Sequence, residues 1–167
     1  MGTADVWYGV LRHGTGPPVK GATPLEHPVF RGLGPELVTL ATEGATVETY
    51  RAGDLVVHEG RLSDRLRLVA RGSVGVELTD RDGTRRAVGT VAAGELLCWS
   101  WVGPPFVSPF DGRARTTTEI LSLDAANVRR ALELCPSDGI RFLQRCLRAV
   151  GQRLEATRAG WLTGGGR

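Results

Sequence analysis

The chain has 167 residues, a formal net charge of +3 and 41% hydrophobic residues, a composition ordinary for one soluble globular domain. Its 21 Lys and Arg against 18 Asp and Glu exclude a strongly basic surface of the kind that holds a nucleic-acid backbone. No apolar stretch has the length of a membrane span and the N-terminus lacks a secretory signal pattern, so a cytoplasmic protein is expected.

Residues 1–23 are rich in Gly, Pro and Thr around one apolar patch, Val6-Trp7-Tyr8-Gly9-Val10-Leu11, and are expected to form an arm with one docking segment. The main domain is expected over residues 24–162. It opens with His27-Pro28-Val29-Phe30-Arg31-Gly32-Leu33, a turn able to pack Phe30 and Leu33, and a short helix starting at Pro35 and stopping near Gly44. Strand-like runs follow at residues 45–52, 54–58, 65–70, 73–79, 85–91 and 115–123, each bounded by a turn signal. Asp80-Arg81-Asp82-Gly83 reads as the turn of a β-hairpin. Short strands with no helices between them point to a β-roll or barrel and away from a parallel α/β sheet.

The pattern then turns helical. Asp124 suits the N-cap of a helix ending near Leu134, with Pro136 as its stop. A longer helix is expected from Ser137, with Ile140, Leu143, Leu147, Val150 and Leu154 forming an a/d seam over two heptads. That seam fits a homodimer contact and equally fits packing on the roll. Residues 163–167 read as a flexible tail. Cys98, Cys135 and Cys146 have no metal-ligand spacing, and their odd number fits free thiols. His13, His27 and His58 lie far apart, no nucleophile arrangement is present, and neither an enzyme nor a metal site is expected.

The order of these motifs resembles the cyclic-nucleotide-binding domain family, which includes the effector domains of catabolite-activator-type regulators. The resemblance rests on the His27 to Leu33 motif, on Tyr50-Arg51-Ala52-Gly53-Asp54-Leu55-Val56-Val57-His58-Glu59-Gly60, on Val69-Ala70-Arg71-Gly72-Ser73-Val74-Gly75-Val76, and on Gly94-Glu95-Leu96. It implies a mainly β fold, a double-stranded β-helix or jelly roll with C-terminal helices. It also implies a non-enzymatic effector-sensing module, with a cyclic nucleotide as the candidate ligand.

In the family a Gly-Glu pair opens a short helix whose N–H groups face the cyclic phosphate, the Glu holds a ribose hydroxyl, and a later Arg neutralises the phosphate. Carried over, this makes Gly94, Glu95, Leu96 and Leu97 the ligand-binding cassette. The family's Arg would fall near Val107-Ser108-Pro109-Phe110, where this chain has none, leaving Arg113 or Arg115 as the candidates. Losing a charge-assisted partner at a buried site costs about 2–5 kcal/mol. The cassette therefore reads as degenerate. Trp99, Trp101, Pro104, Pro105 and Phe106 are expected either to plug the pocket or to offer a surface to a protein partner. The resemblance thus leaves two functions open, effector sensing and protein interaction. Seven residues follow Gly160, too few for a helix-turn-helix, so no sequence-specific DNA binding is expected.

Overall fold

The computed structural model describes residues 27–164, with side chains through residue 160; the expected arm lies outside the described residues. A 3-10 turn, Pro28–Phe30, precedes the first helix. His27 caps this turn, Nδ1 accepting from the Val29 N–H at 3.3 Å, and the turn buries Val29 and Phe30. Helix α1, Pro35–Ala41, starts on its proline, whose missing N–H is no loss there, and buries Leu37, Val38 and Ala41. Seven strands follow: β1 Thr46–Tyr50, β2 Leu55–Val57, β3 Arg65–Arg71, β4 Ser73–Thr79, β5 Arg85–Ala92, β6 Asp111–Ala114 and β7 Thr118–Asp124. Two helices complete the described residues, α2 Ala125–Leu134 and α3 Pro136–Gly164. The Asp124 carboxylate accepts from the Ala126 and Asn127 N–H groups and caps α2.

The strands form two antiparallel sheets, in the orders β1-β7-β3 and β2-β6-β4-β5. Alternation along β3 and β7 divides the interior in two, because successive side chains of a strand point to opposite faces. Leu66, Leu68, Leu121 and Leu123 join a cluster under the helices with Phe30, Leu37, Val38, Trp101, Val128 and Phe142. Val69 and Ile120 face the other way. They join Val56, Val57, Val74, Val76, Val91, Leu97, Cys98, Phe110 and Ala114 between the sheets. The molecule is thus a jelly roll with helical flanks, with one core inside the roll and a second beneath the helices. Among the described residues no helix is long and apolar enough to cross a membrane.

The expected α1, β4 and α2 appear with the limits read from the sequence, and the Asp80–Gly83 turn closes between β4 and β5 with the Asp80 N–H donating to Thr84 O at 2.8 Å. Two expectations are corrected. The run at residues 115–123 is not one strand, since residues 115–117 form a bend and an unexpected strand, β6, precedes it. No hydrophobic run announces β6, because its inward positions are Gly112 and Ala114. A Cβ on Gly112 would stand 3.3 Å from side-chain atoms of both Val57 and Val74, so the space is already taken. Pro136, read as the stop of the helix that ends at Leu134, also begins the next helix one residue before the expected Ser137. It opens α3 directly after the short break at Cys135, the position in which proline initiates a helix. At its far end α3 runs to Gly164, two residues into the expected tail.

Burial lowers the pKa of His27 from 6.5 to about 4. The unfolded chain therefore takes up this proton before the folded one does, and stability falls as pH drops from 6.5 toward 4. The loss from this residue is about 3 kcal/mol by linkage. In chemical denaturation at stepped pH, His27→Asn keeps a side-chain acceptor for the Val29 N–H and should lose visibly less stability over this window. Parallel losses in the two proteins would contradict the assignment.

Candidate functional site

The Gly94 turn follows β5. Gly94 has φ +86°, a left-handed conformation that other residues adopt only at a cost. Glu95 follows, and its Oε2 accepts from the Ala92 N–H at 2.6 Å. The carboxylate thus closes its own turn, and the residue is exposed. The chain then runs antiparallel to β3. The Gly94 N–H donates to Val69 O, the Val69 N–H to Glu95 O and the Leu97 N–H to Arg67 O, at 2.8, 3.0 and 2.9 Å. Leu97 and Cys98 drop into the inner core, both fully buried. Residues 99–106 are turns and not a helix, and include a cis Pro104–Pro105 bond. The anion-facing helix N-terminus that the resemblance implies is therefore not formed here.

The two candidate arginines stand on the wrong side of their sheet. Val74, Val76 and Ala114 point into the roll, so their neighbours in β4 and β6 point out. Arg113 donates to Glu77 Oε2 at 3.1 Å and to Gly53 O at 2.8 Å. Arg115 lies exposed, its guanidinium covering Gly75 where a side chain would otherwise stand. Of the six expected ligand residues, the structure keeps Gly94, Glu95, Leu96 and Leu97 together and places Arg113 and Arg115 elsewhere.

Another arginine reaches the cassette instead. Arg153 of α3 donates through Nη1 to Leu97 O at 2.9 Å and through Nη2 to Leu96 O. Burial lowers the pKa of this guanidinium. Nothing in the sequence pairs Arg153 with residues more than fifty positions away. Cys98 beside it is shut in: burial raises its thiol pKa, and Ser63 Oγ lies 3.7 Å from its sulfur. At one edge of the inner core the Tyr50 hydroxyl donates to Glu48 Oε2 at 2.5 Å, and burial raises its pKa to about 12.

The aromatic loop neither plugs the roll nor stands wholly free. Trp101 is 1% exposed and meets Phe142 of α3 edge-on, ring centres 6.2 Å apart, in the core beneath the helices. Phe106 lies under the Arg129 guanidinium at 5.0 Å. Trp99 is partly exposed, 5.8 Å from Phe110. With Val102 it borders an apolar cleft of about 430 Å³ whose other wall is Ile140, Leu143, Leu147 and Val150. The expected seam is thus turned outward, with Leu147 72% and Leu154 51% exposed, while Phe142 and Cys146 of the same helix pack inward. A second cleft, of about 390 Å³, lies between the Pro28 turn, Gly94 and α3.

Removing the Arg153 fork leaves two carbonyls without their charged partner, so Arg153→Met should cost about 1–3 kcal/mol in urea unfolding. Arg153→Lys should recover only part of this, because a single ammonium cannot reproduce the planar fork. Wild-type stability in Arg153→Met would show that the fork holds nothing.

The profile of the cyclic nucleotide-binding domain family matches residues 47–134. No curated protein matches the sequence. Among solved structures, the fold is similar to a cyclic nucleotide-binding domain from Methylobacillus flagellatus, with TM-score 0.67, 18% identity and coverage of 77% of this chain and 70% of that one. It is similar to the N-terminal domain of a transcriptional regulator from Streptomyces coelicolor, with TM-score 0.59, 27% identity and coverage of 83% and 94%. It is also similar to the catabolite activator protein of Thermus thermophilus, with TM-score 0.60, 26% identity and coverage of 80% of this chain but 62% of that one. From the Gly94 turn, the roll and the profile match together, the chain belongs to the cyclic nucleotide-binding domain family.

Proposed function

We propose that this chain is a non-catalytic regulatory module of the family, working in the cytoplasm, that acts through its surface and not through a nucleotide held in the roll. The observation that carries this reading is the course of the chain after Glu95. Leu97 and Cys98 fill the inner core at the point where the cassette would open toward a ligand. No arginine of β6 faces inward to meet a phosphate, and Arg153 ties up the Leu96 and Leu97 carbonyls. The relatives support a regulatory role, one being a catabolite activator protein and another part of a transcriptional regulator. The free thiols of Cys98, Cys135 and Cys146 fit a reducing compartment.

The partner that fits the surface is a second copy of the chain. Ile140, Leu143, Leu147, Val150 and Leu154 stand at a and d positions on the outward face of α3, continuous with Trp99 and Val102. The flanking e and g positions between Leu143 and Leu154 are Gln144, Cys146, Gly151 and Arg153, and Arg153 is turned to the Leu96 and Leu97 carbonyls, so two such helices meet with little like-charge repulsion near the seam. With 29 residues, α3 is about 44 Å long at 1.5 Å per residue. That length suits an interface of about 800 Å² per partner, the size of a stable one.

Sedimentation equilibrium is expected to show a dimer that Leu147→Lys converts to monomer. The far-UV circular dichroism of the variant should be unchanged, because Leu147 is mostly exposed within one chain. A wild-type protein that stays monomeric at about 100 μM, well above the dissociation constants of stable dimers, would contradict this reading.

A further inference from the structure

The cleft between the Pro28 turn and α3 collects hydrogen-bond donors that face no free carboxylate. Arg31, Arg145 and Arg148 line it with His27 and Gln152. Among the described residues none of these three arginines forms an ion pair. Arg145 donates through Nη1 to Val29 O at 2.9 Å, which anchors its guanidinium at the wall. The one carboxylate in the lining, Glu95, is already engaged by the Ala92 N–H.

His27 is an independent indication. Its Nδ1 accepts from the Val29 N–H, so the neutral ring carries its proton on Nε2. That Nε2–H is buried and meets no acceptor, in a residue 7% exposed. A buried donor left without a partner costs about 1–3 kcal/mol, and an acceptor-rich ligand in the cleft would remove that cost. Three guanidiniums and one neutral donor suit a tetrahedral dianion, whose oxygens accept several charge-assisted bonds at once. A volume of about 390 Å³ holds more than the anion alone.

We propose that this cleft, outside the roll, is a binding site for a small phosphate monoester, held by Arg31, Arg145, Arg148 and the His27 Nε2–H. Such a ligand would join the Pro28 turn to the middle of α3, the helix whose outer face carries the apolar seam. The site does not depend on dimerisation or on the state of the roll interior, so it stands or falls separately from the surface reading above.

The test is a titration of the whole chain with inorganic phosphate and with AMP, followed by calorimetry and by ¹⁵N-detected imidazole resonances. AMP is expected to bind with a dissociation constant below about 1 mM and to move the His27 Nε2 resonance. Inorganic phosphate should move it in the same direction, since both present the same dianion. Arg31 and Arg148 are exposed, so the double variant Arg31→Ser with Arg148→Ser should keep its melting temperature. It should bind AMP at least about tenfold more weakly, as expected for the loss of charge-assisted bonds. Absence of binding at about 10 mM, where a weak specific site would be filled, would overturn the proposal. So would binding that the double variant leaves unchanged, or binding that leaves the His27 resonance in place.

Discussion

The fork from Arg153 to the Leu96 and Leu97 carbonyls is the contact on which the arrangement of this molecule turns. It joins the C-terminal helix to the segment that, by family resemblance, would contact a ligand. A guanidinium offers two parallel donors in a rigid plane, and two successive carbonyls accept them. The segment after Gly94 is held on its other side by the backbone bonds to Arg67 and Val69. Fixed from both sides, it delivers Leu97 and Cys98 into the inner core and leaves the following residues to turn outward toward Trp101.

The two cores follow from strand alternation, and they separate tasks. The inner core, rich in valine, fixes the roll. The outer one seats the Pro28 turn, α1, α2 and the inward face of α3 around Phe30, Trp101 and Phe142, with Phe30 and Phe142 5.5 Å apart. Because α3 spends only one face on this packing, its seam remains outside. The same helix therefore borders an apolar cleft on one side and a cationic cleft on the other. Binding at either cleft acts on a helix whose position is set by Phe142, by the Arg145 bond to Val29 and by Arg153.

Much of this was legible in the sequence. The Ser73–Thr79 strand lies between two turn signals, and Asp124 marks the start of α2 without ambiguity. The a/d spacing of α3 identified the seam, though periodicity alone does not say whether such a face turns inward or out. β6 was illegible because close packing against Val57 and Val74 demands glycine and alanine where a strand usually shows large apolar residues. Of the expected ligand residues only Gly94, Glu95, Leu96 and Leu97 stand together, as their adjacency in the chain requires. Whether Glu95 turns to a ligand or to its own backbone, and whether Arg113 lies inside or outside, depends on register and on the bend at residues 115–117. The Arg153 fork joins the end of the domain to its middle, the His27 cleft joins its start to its end, and no local pattern announces either.

The central claim is that the roll keeps the family's form while its interior is closed by Leu97, Cys98 and their neighbours. Calorimetric titration with cyclic AMP and cyclic GMP, using the double variant Arg31→Ser with Arg148→Ser to silence the outer cleft, tests it most directly. No heat of binding and no rise in melting temperature at millimolar nucleotide are the predicted results. Saturable binding of either nucleotide by that variant, with a melting temperature raised by about five degrees or more, would contradict the account and would mean that the inner core opens to admit a ligand.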